Sequence, residues 1–257
     1  MMDLSLNKEL GRRYDSLAQK ARIITEAWVR DNLYCLGCLE DRLTTSRPGR
    51  AVIDFRCRNC GRRYQLKSQR RPFRNRVLDA AWQPMASAVR AGKAPNFLFL
   101  HYDVTDWMVM NLFGVPNHFM TLSAIERRRP LARGAKRSGW VGCNILLGQL
   151  PWDAKVHIVR DYREVPREKV RRRWSRFDFL QDAAHESRGW TADILVCVRR
   201  LNQRMFTLDD VYGFEDELAR LHPRNRHIGA KIRQQLQILR DQGIIKFLGE
   251  GHYLLVD

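Results

Sequence analysis

The chain has 257 residues, 44% of them hydrophobic, which is enough for one large core or two smaller ones and excludes global disorder. Forty-six Lys and Arg against 28 acids leave a net charge of +18, which points to a polyanionic partner: nucleic acid first, an anionic membrane surface second. No apolar run approaches the roughly 20 residues that span a bilayer, and the opening Met1-Met2-Asp3-Leu4-Ser5-Leu6-Asn7 is too polar for a signal peptide, so a cytoplasmic protein with reduced thiols is expected.

Leu10, Tyr14, Leu17, Ala21, Ile24 and Trp28 recur at helical spacing and predict an amphipathic helix over 8–30. Residues 51–56 and 62–67 read as strands, with Cys57-Arg58-Asn59-Cys60-Gly61 as the turn between them. Pro84 starts or breaks a helix within 75–91. Residues 96–102, 107–112 and 155–159 read as further strands, and 121–126 as a capped helix start. A basic helix is expected over 163–176 and a polar linker over 182–189. Beyond it, helices are expected from Thr191, from Thr207 (apolar face Val211, Phe214, Leu218, Leu221) and over Ile228, Ile232, Leu236 and Leu239. A hairpin over 244–256 completes the outline of a winged helix-turn-helix. The strand-and-helix mixture before it argues for an α/β core.

Two motifs carry chemistry. Cys35, Cys38, Cys57 and Cys60 form a C-x2-C-x18-C-x2-C pattern, whose knuckles predict a four-thiolate structural zinc site. Cys143 and Cys197 have no such neighbours and read as small buried residues. Threaded through the zinc pattern is Asp54, followed ten residues on by Gln65-Leu66-Lys67. Residues two apart on a strand share a face, so Gln65 and Lys67 project together and a paired strand brings Asp54 alongside. Asp54, the Gln65 side-chain oxygen and the Leu66 backbone carbonyl are hard donors suited to Mg2+. Lys67 would orient water or neutralise charge in phosphodiester hydrolysis. The other reading is the solvated polar face of an amphipathic hairpin.

Trp140 lies between glycines in Arg137-Ser138-Gly139-Trp140-Val141-Gly142, where an aromatic ring can stack on a base or touch a methyl group, or fill a core at a strand start. On the third C-terminal helix, with the Ile and Leu residues inward, Asn225, His227, Lys231, Gln234 and Gln235 are expected to face outward to DNA.

The chain resembles the DpnI-type methyl-directed restriction endonucleases. The likeness rests on Gln19-Lys20-Ala21-Arg22-Ile23, the two knuckles, Leu66-Lys67-Ser68, and Ser138-Gly139-Trp140-Val141-Gly142-Cys143-Asn144. It continues in Ser187-Arg188-Gly189-Trp190-Thr191 and in the run from Lys231 through Asp241. The resemblance implies a restriction-endonuclease-like PD-(D/E)xK domain over 1–183, a mixed sheet flanked by helices with structural Zn2+. It further implies a winged-helix domain over 186–257. It implies Mg2+-dependent double-strand cutting of GATC that carries N6-methyladenine, with both domains contacting the methylated site. By position, Asp54 is the first metal ligand and Lys67 the motif lysine. Gln65 departs from the acid that the family has there, and Ile53 stands where the motif has proline. Arg137 and Trp140 would contact the DNA, Trp140 reading the methyl group. The expected protein is a monomer acting on double-stranded adenine-methylated DNA, with no membrane and no methyltransferase partner. The alternative is a non-cleaving binder of methylated DNA, its nuclease site silenced by Gln65.

Overall fold

The computed structural model describes residues 2–46, 53–181 and 183–256. The first helix, α1 (Leu17–Asn32), starts later than the periodicity predicts, behind a 3-10 turn over Lys8–Gly11. Ile24, Trp28 and Val29 form its buried face, while Leu10 and Leu17 are 42% and 75% exposed. Ser16 is extended, so the chain breaks helical phase there and Leu10 leaves the predicted face.

Strand β1 (Thr44–Thr45) pairs with β2 (Phe55–Arg56), and β2 pairs with β3 (Arg63–Gln69), all antiparallel. Of the strand expected over 51–56, Ala51 and Val52 lie outside the described residues. The second knuckle turns the chain between β2 and β3, with Gly61 at φ +73°, a conformation glycine adopts without steric cost.

The helix expected within 75–91 is α2 (Trp82–Arg90), and it is preceded by a strand, β4 (Arg76–Ala81), that the sequence reading does not anticipate. Pro84 is the third residue of α2, in the first turn, where its missing N–H removes no intrahelical bond. Strands β5 (Asn96–Asp103) and β6 (Met108–Val115) follow as expected. The helix start expected at Thr121 is instead a turn into β7 (Ile125–Arg127), which pairs with β8 (Gly142–Leu146). The hydroxyls that mimic a cap form a relay instead: Thr121 bonds Ser123 at 2.7 Å, and Ser123 reaches across the molecule to the Asp193 carboxylate at 2.8 Å. Then come β9 (Val156–Arg160), β10 (Arg163–Glu164) and α3 (Arg167–Ser175), so the predicted basic helix begins with a short strand.

The large sheet has the order β1-β2-β3-β5-β6-β9-β10 and is mixed, since β3 and β5 run parallel and the other pairs antiparallel. Side-chain alternation along β5 divides the core in two. Leu98 and Leu100 pack with Ile24 and Trp28 of α1 and Val170 and Trp174 of α3. Phe97 and Phe99 pack on the other side with Met85 and Val89 of α2 and with Val77, Ile125 and Ile145 of a second sheet, β4-β8-β7.

The stretch expected to be a linker is mostly the first turns of α4 (His185–Arg200). Its small polar composition is overridden by Trp190, which is fully buried and stacks on His222 at 3.8 Å between ring centroids. After β11 (Met205–Thr207), the helix expected from Thr207 is two, α5 (Leu208–Tyr212) and α6 (Glu215–Leu221), separated at Gly213-Phe214. Thr207 and Asp210 form the reciprocal cap of α5. Helix α7 (Ile228–Asp241) precedes the wing, β12 (Ile245–Gly249) and β13 (His252–Leu255), in a sheet of order β11-β13-β12. Ile232, Leu236 and Leu239 are buried as the spacing predicts. Through Trp190, Ile194 and Phe177 this core is continuous with the Phe97–Phe99 side of the large sheet.

Candidate active site and metal centre

The knuckles bring four thiols together. The Sγ atoms of Cys35, Cys38, Cys57 and Cys60 all lie within 4.8 Å of one another, with Cys35–Cys60 at 3.6 Å and Cys38–Cys57 at 3.5 Å. Sulfurs at the corners of a zinc tetrahedron, with Zn–S near 2.3 Å, sit about 3.8 Å apart, so this donor set fits one Zn2+. All four are free thiols. Burial pushes the Cys35 and Cys57 thiols up. Burial acts upward on Cys60 too, but the Arg62 backbone N–H and guanidinium outweigh it and bring that thiol down to about 7. Arg62 also donates to the Gly37 carbonyl at 2.9 Å and so ties the second knuckle to the first.

The braced hairpin positions the trio. Phe55 pairs with Tyr64, so Asp54 stands across from Gln65 where that register continues. Two hydrogen bonds fix it: the Asp54 N–H donates to the Tyr64 carbonyl at 2.9 Å, and the Leu66 N–H donates to Asp54 Oδ2 at 2.8 Å. Tyr64 and Leu66 face the α1 side of the sheet, leaving Gln65 and Lys67 on the other, as alternation predicts. Gln65 is 8% exposed, and its Oε1 is buried with no hydrogen-bond partner among the described residues. A buried carbonyl oxygen without a donor is costly, and a hard divalent cation is the partner that Oε1 and a neighbouring carboxylate suit.

Two neighbours escape the sequence reading. Lys67 Nζ lies 2.5 Å from Oδ1 of Asp79, a carboxylate on β4 whose side chain has no solvent exposure. The signal is a single acid in Val77-Leu78-Asp79-Ala80-Ala81, a stretch to which the sequence reading assigns no strand and therefore no face. Arg22 of α1 is the other: its charge is stabilised first by Glu26, at 2.5 Å, and also by Asp54. The helix is pinned beside the site by a 2.9 Å bond between Thr25 Oγ1 and Ser68 Oγ.

The residues expected to meet DNA are distributed over two places. Arg137 is exposed on the loop between β7 and β8, and Trp140 is half-buried. The indole lies against Gly142, where a Cβ would come within 2.7 Å of the ring. On the C-terminal unit, His227 and Gln234 are exposed and Asn225 and Lys231 half-buried. Gln235 does not face outward. It is fully buried and accepts a 2.6 Å bond from Thr191 of α4. With Ile232, Leu236 and Leu239 inside, helical spacing makes 235 an inner position as well.

A mixed sheet flanked by helices, a four-cysteine cluster that can hold zinc and a C-terminal helix-turn-helix unit define a class of two-part α/β proteins with a DNA-binding module. Residues 2–183 match the Dam-replacing family, DpnI, and residues 186–254 match the Dam-replacing helix-turn-helix domain. The chain belongs to the Dam-replacing (DpnI) family. No helix among the described residues is long and apolar enough to cross a membrane.

Proposed function

We propose that the protein is a methyl-directed restriction endonuclease that cuts both strands of GATC carrying N6-methyladenine. The observation that carries this reading is the buried Gln65 Oε1, without a hydrogen-bond partner among the described residues, beside Asp54 and Lys67 in a chain of this family. Asp54, Gln65 Oε1 and the Leu66 carbonyl would hold Mg2+, which supplies Lewis-acid activation of water when bound. Asp54 is pre-oriented by the Leu66 N–H. Lys67 places a positive charge where negative charge develops at phosphorus. Zn2+ at the four cysteines keeps the β2–β3 turn, and with it Asp54, in register. Trp140 and Arg137 read the methylated site from one unit, and Asn225, His227, Lys231 and Gln234 from the winged helix. In this reading residues 1–183 form the nuclease domain and 186–257 the winged-helix domain of a cytoplasmic monomer that needs no methyltransferase partner. Duplex oligonucleotides with Mg2+ test it: the methylated GATC duplex is cut, and its unmethylated twin is left intact.

One observation favours a second reading. Gln65 is neutral, which removes a negative charge from the metal site. A non-cleaving reader of methylated DNA would carry such a site, and Gln65→Glu would then create cleavage where the natural protein has none.

A further inference from the structure

The carboxylate of Asp79 has no place in the residue pattern that defines the candidate site, yet it is the charged group in contact with its lysine. Its side chain has no solvent exposure, and Lys67 Nζ, 17% exposed at the side chain, lies 2.5 Å from Oδ1. Oδ1 makes no aligned hydrogen bond among the described residues, so the ammonium is its compensating charge. The other oxygen, Oδ2, faces Cys143 Sγ at 3.7 Å, a thiol that burial, and then the Asp79 charge, pushes up to about 12. A buried carboxylate lacking its cation is strongly destabilised, so this pair is held together from both sides.

The backbone shows how Asp79 is aimed. Leu78 pairs with Asn144 and Ala81 with Gly142, so Asp79 and Ala80 together stand opposite the single residue Cys143. That is a bulge, one extra residue in β4, and bulges redirect a side chain out of the regular alternation. Here the redirected side chain crosses from the second sheet to a lysine on the large one. A lysine chain has four rotatable bonds and gives up rotamer entropy when it is fixed. Among the described residues the ion pair of Lys67 is with Asp79 of β4, not with a residue of its own strand.

We propose that Asp79 is the positioning residue of Lys67: the bulge of β4 holds the ammonium in place before DNA arrives. The catalytic consequence rests on the nuclease reading above, whereas the anchoring does not.

The test uses the full chain labelled with 15N-lysine. A lysine ammonium held in a buried ion pair exchanges slowly enough to give a 1H–15N resonance, identified as the peak that Lys67→Met removes. The proposal expects that resonance in the natural protein, its loss in Asp79→Asn and its retention in Asp79→Glu. Absence of the peak from the natural protein, or its survival in a folded Asp79→Asn protein, overturns the anchoring. Single-turnover cleavage then measures the consequence. Asp79→Asn is expected to lower the rate about 100-fold, as a misplaced group does, with DNA affinity and Mg2+ half-saturation within about twofold. Lys67→Ala/Asp79→Asn should be no slower than Lys67→Ala, because the two residues act as one unit. A large rise in Mg2+ half-saturation in Asp79→Asn with the Lys67 resonance intact would instead make Asp79 a metal ligand and sink the proposal. If the natural protein cuts nothing while the resonance behaves as expected, the nuclease reading fails and the anchor stands.

Discussion

The Asp54 carboxylate accepts the Leu66 backbone N–H at 2.8 Å, so the first acid of the candidate site is held by the strand that carries the other two members. The contact engages Oδ2 of Asp54, and a cation would be held through Oδ1. Asp54→Asn keeps an oxygen for the Leu66 N–H and removes the charge. Cleavage is expected to fall on the order of 10²–10³-fold or more, with the gel shift of methylated duplex unchanged. Equal losses of cutting and binding would show that Asp54 is structural.

The purified protein should contain one zinc per chain by elemental analysis, and Cys38→Ser or chelation should remove it. Zinc sites contribute folding energy directly, so the Tm should drop by roughly 10 °C or more, equivalent to several kcal/mol for a chain of this size. Cys197→Ser should leave zinc content untouched. A full zinc complement in Cys38→Ser would place the ion elsewhere.

His118 predicts an acid limb to stability. Burial, then the charges of Arg188 and Arg62, hold its folded-state pKa at about 3, against 6.5 for an ordinary imidazole. As pH falls below 6.5 the unfolded chain binds a proton that the folded one refuses. Stability therefore drops by about 1.4 kcal/mol per pH unit from this group, until the folded pKa is reached. Urea melts at pH 7 and pH 5 should differ by about 2 kcal/mol less in His118→Gln than in the natural protein. Identical differences in the two proteins would refute a neutral buried imidazole.

Adjacent glutamines on α7 should behave oppositely. Gln235 is buried against Thr191, whose hydroxyl also bonds the Ser187 carbonyl, so Gln235→Ala should cost about 1–3 kcal/mol of stability through the cavity left in the core. Gln234 is exposed, so Gln234→Ala should leave stability within about 0.5 kcal/mol and weaken DNA binding by about 1–3 kcal/mol if it pairs with a base edge. Fluorescence melts and binding titrations separate the two.

Local chemistry made much of this legible in the sequence. Knuckle spacing fixes where four sulfurs meet, and strand alternation puts Gln65 and Lys67 on one side of β3. Periodicity placed Ile232, Leu236 and Leu239 in the core of α7. The failures came where tertiary packing overrides local preference. Gly189 and its polar neighbours look like a linker, but Trp190 stacks on His222 and draws them into α4. Pro84 marks the start of α2, but nothing local announces β4 just before it, and without that strand neither the second sheet nor the Asp79 bulge is foreseeable. Thr121 resembles a cap because a hydroxyl bonded across the molecule to Asp193 through Ser123 has the same sequence signature as one bonded to its own helix.

The most direct measurement is a plasmid digest. One GATC-containing plasmid is prepared with and without adenine methylation and incubated with the protein and Mg2+ at low salt, where the binding of so basic a chain is strongest. The account predicts discrete fragments from the methylated copy alone, and none once Mg2+ is withheld. Fragments from both copies would contradict methyl direction, and an intact methylated plasmid that the protein nonetheless shifts on a gel would contradict the nuclease.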